Sequence, residues 1–161
     1  MNYIKFNDVY KANKELDEMF NNAFPDPLMV KKNKLELLVE IGELANETRY
    51  FKYWSNKPID IDLVKMEFAD CIIITFYFFN IMNINLDEEF MNIGEYNNID
   101  IFARLYKLAS DFYYCDDKEL IKEIFVTIIN LGYIIGFNDD MMIDACMMKI
   151  NKNKAHFKEK I

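Results

Sequence analysis

A chain of 161 residues is of a size that one core can serve, and with 52% apolar residues it has the material to bury one, which excludes a disordered protein. A formal charge of -8 argues against a protein that coats nucleic acid, and 4 Gly with 3 Pro leave few turns for a many-stranded β fold. Cys71, Cys115 and Cys146 are odd in number, widely spaced and without a CxxC pair. They suggest neither a disulfide framework nor a zinc site, and read as small buried apolar residues.

The opening MNYIKFNDVYKANKELDE lacks the apolar stretch of a signal peptide, so a cytoplasmic location is expected. The periodicity predicts a first helix over residues 8–22, with Val9, Ala12, Leu16, Met19 and Phe20 inward. Phe24-Pro25-Asp26-Pro27 stops it, because neither proline can continue a helix. A second helix is expected over 28–53, ending before Ser55-Asn56-Lys57-Pro58, and a third over 60–82, ending before Asn83-Ile84-Asn85. Three more follow near 99–114, 117–135 and 139–158, with Gly136 between the last two. The run over 71–82, CIIITFYFFNIM, is too short to span a bilayer comfortably and reads as a buried helix or a subunit interface. No linker, repeat or low-complexity block interrupts the pattern. Residues 1–161 are therefore expected to form a single all-α domain, a compact helical bundle with no membrane partner.

The second helix carries Glu36, Glu40, Glu43 and Glu47. Steps of three or four residues put all four within roughly 60° of one another. Like charges so spaced repel by about 0.2–0.5 kcal/mol per pair, and no lysine or arginine is interleaved. Leu37, Leu38, Ile41, Leu44 and Ala45 flank the stripe, so part of it should lie near the core. The third helix repeats the device with Glu67 and Asp70, and Asp70 runs straight into the apolar stretch. A bare carboxylate there is costly, and it must either take up a proton or hold a hard cation such as Mg²⁺. One ExxE on a helix is ordinarily a solvated face. Two acid pairs on consecutive helices, one of them inside an apolar segment, point instead to an oxygen-ligand metal site. Nothing competes with it: His156 is the only histidine, and no Ser-His-Asp set, Cys-His pair or P-loop is present.

Glu40-Ile-Gly-Glu43 followed about twenty residues later by Glu67-Phe-Ala-Asp70 resembles the ExxE…ExxD signature of the all-α nucleotide pyrophosphatases, which include the MazG-type enzymes and the dimeric dUTPases. The stretch LLVEIGELANETRYFKYWSNKP is similar to the dimeric dUTPases in particular, and KELDEMF resembles their opening helix. The resemblance implies a MazG/dimeric dUTPase-like bundle that hydrolyses dUTP to dUMP and pyrophosphate. It implies Mg²⁺ held by Glu40, Glu43, Glu67 and Asp70, with Glu40 orienting or deprotonating the attacking water and Glu43 beside it in the catalytic set. It further implies that Trp54 lines the nucleoside pocket, that Arg49, Lys52 and Lys57 meet phosphates, and that Asn13 contacts uracil where the family has glutamine.

KINKNKAHFKEK contrasts with the acidic body, and Lys149, Lys152, Asn153 and His156 suit a triphosphate tail. The related pattern Lys-Asn-x-x-Asn-x-x-Arg is met at Lys152-Asn153 but departs at His156 and Glu159. A homodimer is expected, from the resemblance and from 16% aromatic residues. Two rival readings are a MazG-like pyrophosphatase of other or broader nucleotide preference and a catalytically silent helical interaction module. Retention of all four acids speaks against the second, because a bundle without metal gains by replacing Asp70 with an apolar residue.

Overall fold

Helix boundaries follow from local chemistry. The Asp60 carboxylate accepts from the backbone N–H groups of Asp62 and Leu63, and Asp117 accepts from Glu119, so each aspartate satisfies donors that a helix start leaves open. Gly136, at φ 107, ends a helix in the left-handed conformation that a residue without Cβ adopts freely. The computed structural model describes residues 2–160, and its helices are α1 (Asn7–Ala23), α2 (Met29–Thr48), α3 (Ile61–Ile81), α4 (Asp100–Tyr114), α5 (Lys118–Ile135) and α6 (Asp139–Lys160). A 3-10 turn, Ile4–Phe6, precedes α1. The chain is all-α among the described residues, as the periodicity predicts.

The main departure is the end of α2, which stops at Thr48 rather than near residue 53. The Thr48 hydroxyl donates to the Ala45 carbonyl 2.9 Å away, and Arg49 turns left-handed at φ 60. The Arg49 guanidinium then donates to the Ser55 hydroxyl at 2.6 Å, closing residues 49–55 into a loop. Arg49 thus caps and ties this loop, where helical periodicity alone would have carried the helix on.

Helix α3 is the axis of the bundle and packs against α1, α2, α5 and α6, while α4 packs on α2 and α5. Phe68, Ile72, Phe76, Phe78 and Phe79 of α3 are fully buried. The apolar run is therefore hidden within the chain itself and is not an interface; only Ile81, near its end, is exposed. Cys71 and Cys146 are buried as expected, but Cys115 is exposed where it follows α4. No single helix among the described residues is long and apolar enough to cross a membrane.

Phe125 of α5 is the hub of the aromatic core. Its ring lies 5.0–6.1 Å from those of Tyr3, Phe6, Phe76, Phe79 and Phe90, mostly edge-on or tilted. Phe125→Ala should cost about 3–5 kcal/mol, through the lost transfer energy and the cavity left behind. Urea denaturation measures this, and a variant whose midpoint matches wild type would contradict the hub assignment.

Candidate metal centre and nucleoside cavity

Glu40 and Glu43 lie one turn apart on α2, and Glu67 and Asp70 one turn apart on α3. The two helices pack against each other, and Leu37, Ile41 and Leu44 of α2 and Val64 and Cys71 of α3 are all fully buried. Gly42 lets α4 approach α2: a Cβ there would sit 2.9 Å from the Tyr106 hydroxyl. This packing brings one carboxylate oxygen each from Glu40, Glu67 and Asp70 within 4.8 Å of one another. Glu43 stands beside Glu40 and Glu67 but is more exposed and lies outside the tight triad.

The electrostatics follow from the crowding. Burial, then the charges of Asp70 and Glu43, push the Glu40 carboxyl up to about 8 and that of Glu67 up to about 7. Asp70 is also raised by burial, although Lys149 opposes the shift with a 2.7 Å ion pair from α6. Glu36 is raised by burial and by Asp70 and Glu43. Two oxygens, Glu40 Oε2 and Glu67 Oε2, are buried with no hydrogen-bond partner. Buried acceptors are normally satisfied, so these two oxygens could serve as ligands to a cation. The donor set is all oxygen and net negative, and suits a hard divalent cation.

The cluster separates two concavities. On one side a cavity of about 280 Å³ runs between α1, α2 and α3, with Leu16, Phe20, Ile73, Ile74 and Tyr77 forming apolar walls. Asp17, Asn33, Glu36, Glu40, Asp70 and Asn153 supply its polar groups. On the other side a more polar and open groove is lined by Val39, Gly42, Glu43, Asn46, Glu47 and Glu67. Few convergent polar groups over an apolar floor is the usual make-up of a small-molecule site.

Asp17, absent from the residues singled out in the sequence, is a principal cavity group. Burial, then Glu36 and Glu18, lift its carboxyl to about 7. The signal was available: Asp17 falls one residue after the inward Leu16, on the edge of the apolar face. Asn13 does not line the cavity. It is fully buried, and its amide donates to Asp17 Oδ2 and to the Ile73 carbonyl, both at 3.1 Å, so it orients Asp17 from behind. Of the basic segment, Lys149 and Asn153 reach the site and the charge of Lys152 acts on Asp70. His156 is exposed, 3.4 Å from Glu159. Arg49, Lys52, Trp54 and Lys57 sit in the loop after α2 and line neither concavity. Trp54 is 65% exposed and packs edge-on to Phe51 and Tyr53.

A search of curated proteins finds no match. A family model described as dUTPase matches residues 5–160, which span the acid cluster, the cavity and the basic segment alike. The chain therefore belongs to the dUTPase family, as an all-α enzyme that hydrolyses dUTP.

Proposed function

We propose that the acid cluster binds Mg²⁺ and that dUTP is cleaved there to dUMP and pyrophosphate. The observation that carries this reading is the pair of unpartnered buried oxygens, Glu40 Oε2 and Glu67 Oε2, beside Asp70. Glu40, Glu67 and Asp70 would hold the metal, with Glu43 joining from the open side. Bound there, the metal would withdraw charge from the phosphoryl groups and acidify water.

The remaining steps belong to the chain's own residues. The apolar-walled cavity takes the base and sugar, against Phe20, Ile73, Ile74 and Tyr77. Asp17 faces the base edge: a carboxyl lifted to about 7 can donate through its hydroxyl and accept through its other oxygen, matching the alternating donors and acceptors of uracil. With the nucleoside in the cavity, the α-phosphate is the phosphoryl group nearest the acids. The β and γ phosphates then extend towards Lys149 and Lys152. Glu40 belongs both to the cavity wall and to the triad, which supports giving it the orientation of the attacking water. Attack at the α-phosphorus releases pyrophosphate, and no covalent intermediate on the enzyme is needed.

The same reading includes a homodimer. Phe51, Tyr53 and Trp54 are 48%, 94% and 65% exposed, and Leu35, Val39 and Leu63 also face outward. Exposed apolar side chains of this size, three of them packed together as Phe51, Tyr53 and Trp54, favour cover. The aromatic loop would then serve the nucleoside site of the partner, which accounts for its distance from its own cavity.

Three outcomes are expected. With Mg²⁺, pyrophosphate release should be fastest for dUTP in a panel with dTTP, dCTP, UTP and ATP, and Glu67→Gln or Asp70→Asn should lower turnover by about 10²-fold or more while the fold persists. Release of orthophosphate instead of pyrophosphate, or undiminished rates in both variants, would overturn the reading. Secondly, Glu40 and Glu67 have raised carboxyls in the fold, so the folded state binds more protons than the unfolded one between about pH 4.5 and 8. Metal-free protein should lose stability as pH rises through that window, and Mg²⁺ should flatten the slope in thermal melts; a metal-free stability that climbs with pH would contradict it. Thirdly, Trp54→Ala should shift sedimentation towards monomer and lower activity at high dilution, whereas a dimer of undiminished strength would move the interface elsewhere.

A further inference from the structure

Lys149 makes the closest contact that any cation makes with the acid cluster. Its ammonium lies 2.7 Å from Asp70 Oδ2, and both side chains are largely withdrawn from solvent, at 18% and 16% exposure. Its charge also counters the rise at Glu67, so it acts on two of the three converging acids. Among the described residues, no other lysine or arginine forms an ion pair with Glu36, Glu40, Glu43, Glu67 or Asp70. Of the nearby basic residues, Lys154 pairs with Glu15, His156 is exposed, and Lys152, also exposed, acts on Asp70 by its charge without an ion pair.

We propose that Lys149 is the built-in counter-ion of the metal-free site, that it competes with the metal for Asp70, and that metal loading hands its ammonium to the polyphosphate. The inference rests on the Mg²⁺ reading above and deepens it, making Lys149 a residue that passes from Asp70 to the substrate's phosphates. Four acids from two helices repel one another, and a single ammonium on a long stem partly neutralises them until a cation arrives. The metal concentrates two charges where Lys149 supplied one, so the ammonium is both displaced and repelled. Its stem is rooted on α6, one turn before Lys152 and Asn153, so it swings towards the part of the site where the phosphates extend. Loading and substrate binding are thereby coupled: the metal creates the phosphate contact by releasing the lysine. By linkage, a bound polyphosphate that captures Lys149 raises the affinity for the metal.

The test compares Mg²⁺ binding to wild type and Lys149→Met by titration calorimetry, without nucleotide. Removal of a competitor should tighten binding by roughly fivefold, the exchange of one partly buried ion pair. Mg²⁺ affinity that is unchanged or weakened in the variant overturns the proposal, since a lysine that merely supports the acids would give that result. A second measurement uses wild type alone and does not depend on the variant folding. Amine acetylation read by mass spectrometry should find Lys149 protected without metal and severalfold more reactive with Mg²⁺, against exposed Lys107 as internal reference. Equal protection in both states overturns the proposal even where Mg²⁺ binds. Failure of wild type to bind Mg²⁺ at all would remove the metal reading, and this inference with it.

Discussion

The fold holds carboxylates together that would separate if free to do so. Two charges 4.8 Å apart at an effective dielectric of about 20 repel by about 3 kcal/mol, and the cluster contains several such pairs. Burying one Ile, Leu or Phe side chain contributes about 1.5–3 kcal/mol. Leu37, Ile41 and Leu44 of α2 and Val64, Phe68 and Ile72 of α3 are completely buried, so packing outweighs the repulsion. Proton uptake by Glu40 and Glu67 and the Lys149 ion pair reduce the cost further. The acids therefore form a stressed element on a well-packed support, and a cation bound there, as proposed, would relieve that stress.

That support also fixes the order of the site. Helix α3 contributes both the acids at its N-terminal half and, through Ile73, Ile74 and Tyr77, the apolar wall of the cavity. One helix thus sets the distance between the apolar wall of the cavity and the acids. Asp17 of α1, held from behind by Asn13, lines the cavity on its α1 side, and α6 brings Lys149 to the acids. The loop over residues 49–60, by contrast, is tied by the Arg49–Ser55 contact and carries its aromatic side chains outward. Its residues line neither concavity of their own chain, and in the proposed homodimer they would face a second subunit.

The helices and the acid quartet were legible because each rests on a local signal. Periods of three and four residues mark buried faces, prolines and Asp caps mark ends, and a carboxylate inside an apolar run has few physical explanations. The end of α2 was not legible, because Thr48 and Arg49 act through contacts that no helical period encodes. Asn13 looked like a polar cavity group but is a buried support for Asp17, and residue type alone does not distinguish the two. The apolar run over 71–82 was read partly as an interface, yet four surrounding helices hide it.

Sequence alone determined the all-α class, the positions of the helices and the four acids facing one way on two of them, since these depend on residues within a turn or two of each other. Tertiary structure decided which of those acids converge, that Lys149 answers Asp70 from a helix some eighty residues away, and which side of the cluster opens into an apolar-walled cavity. Those facts are set by how helices remote in sequence pack, and packing is a property of the assembled core.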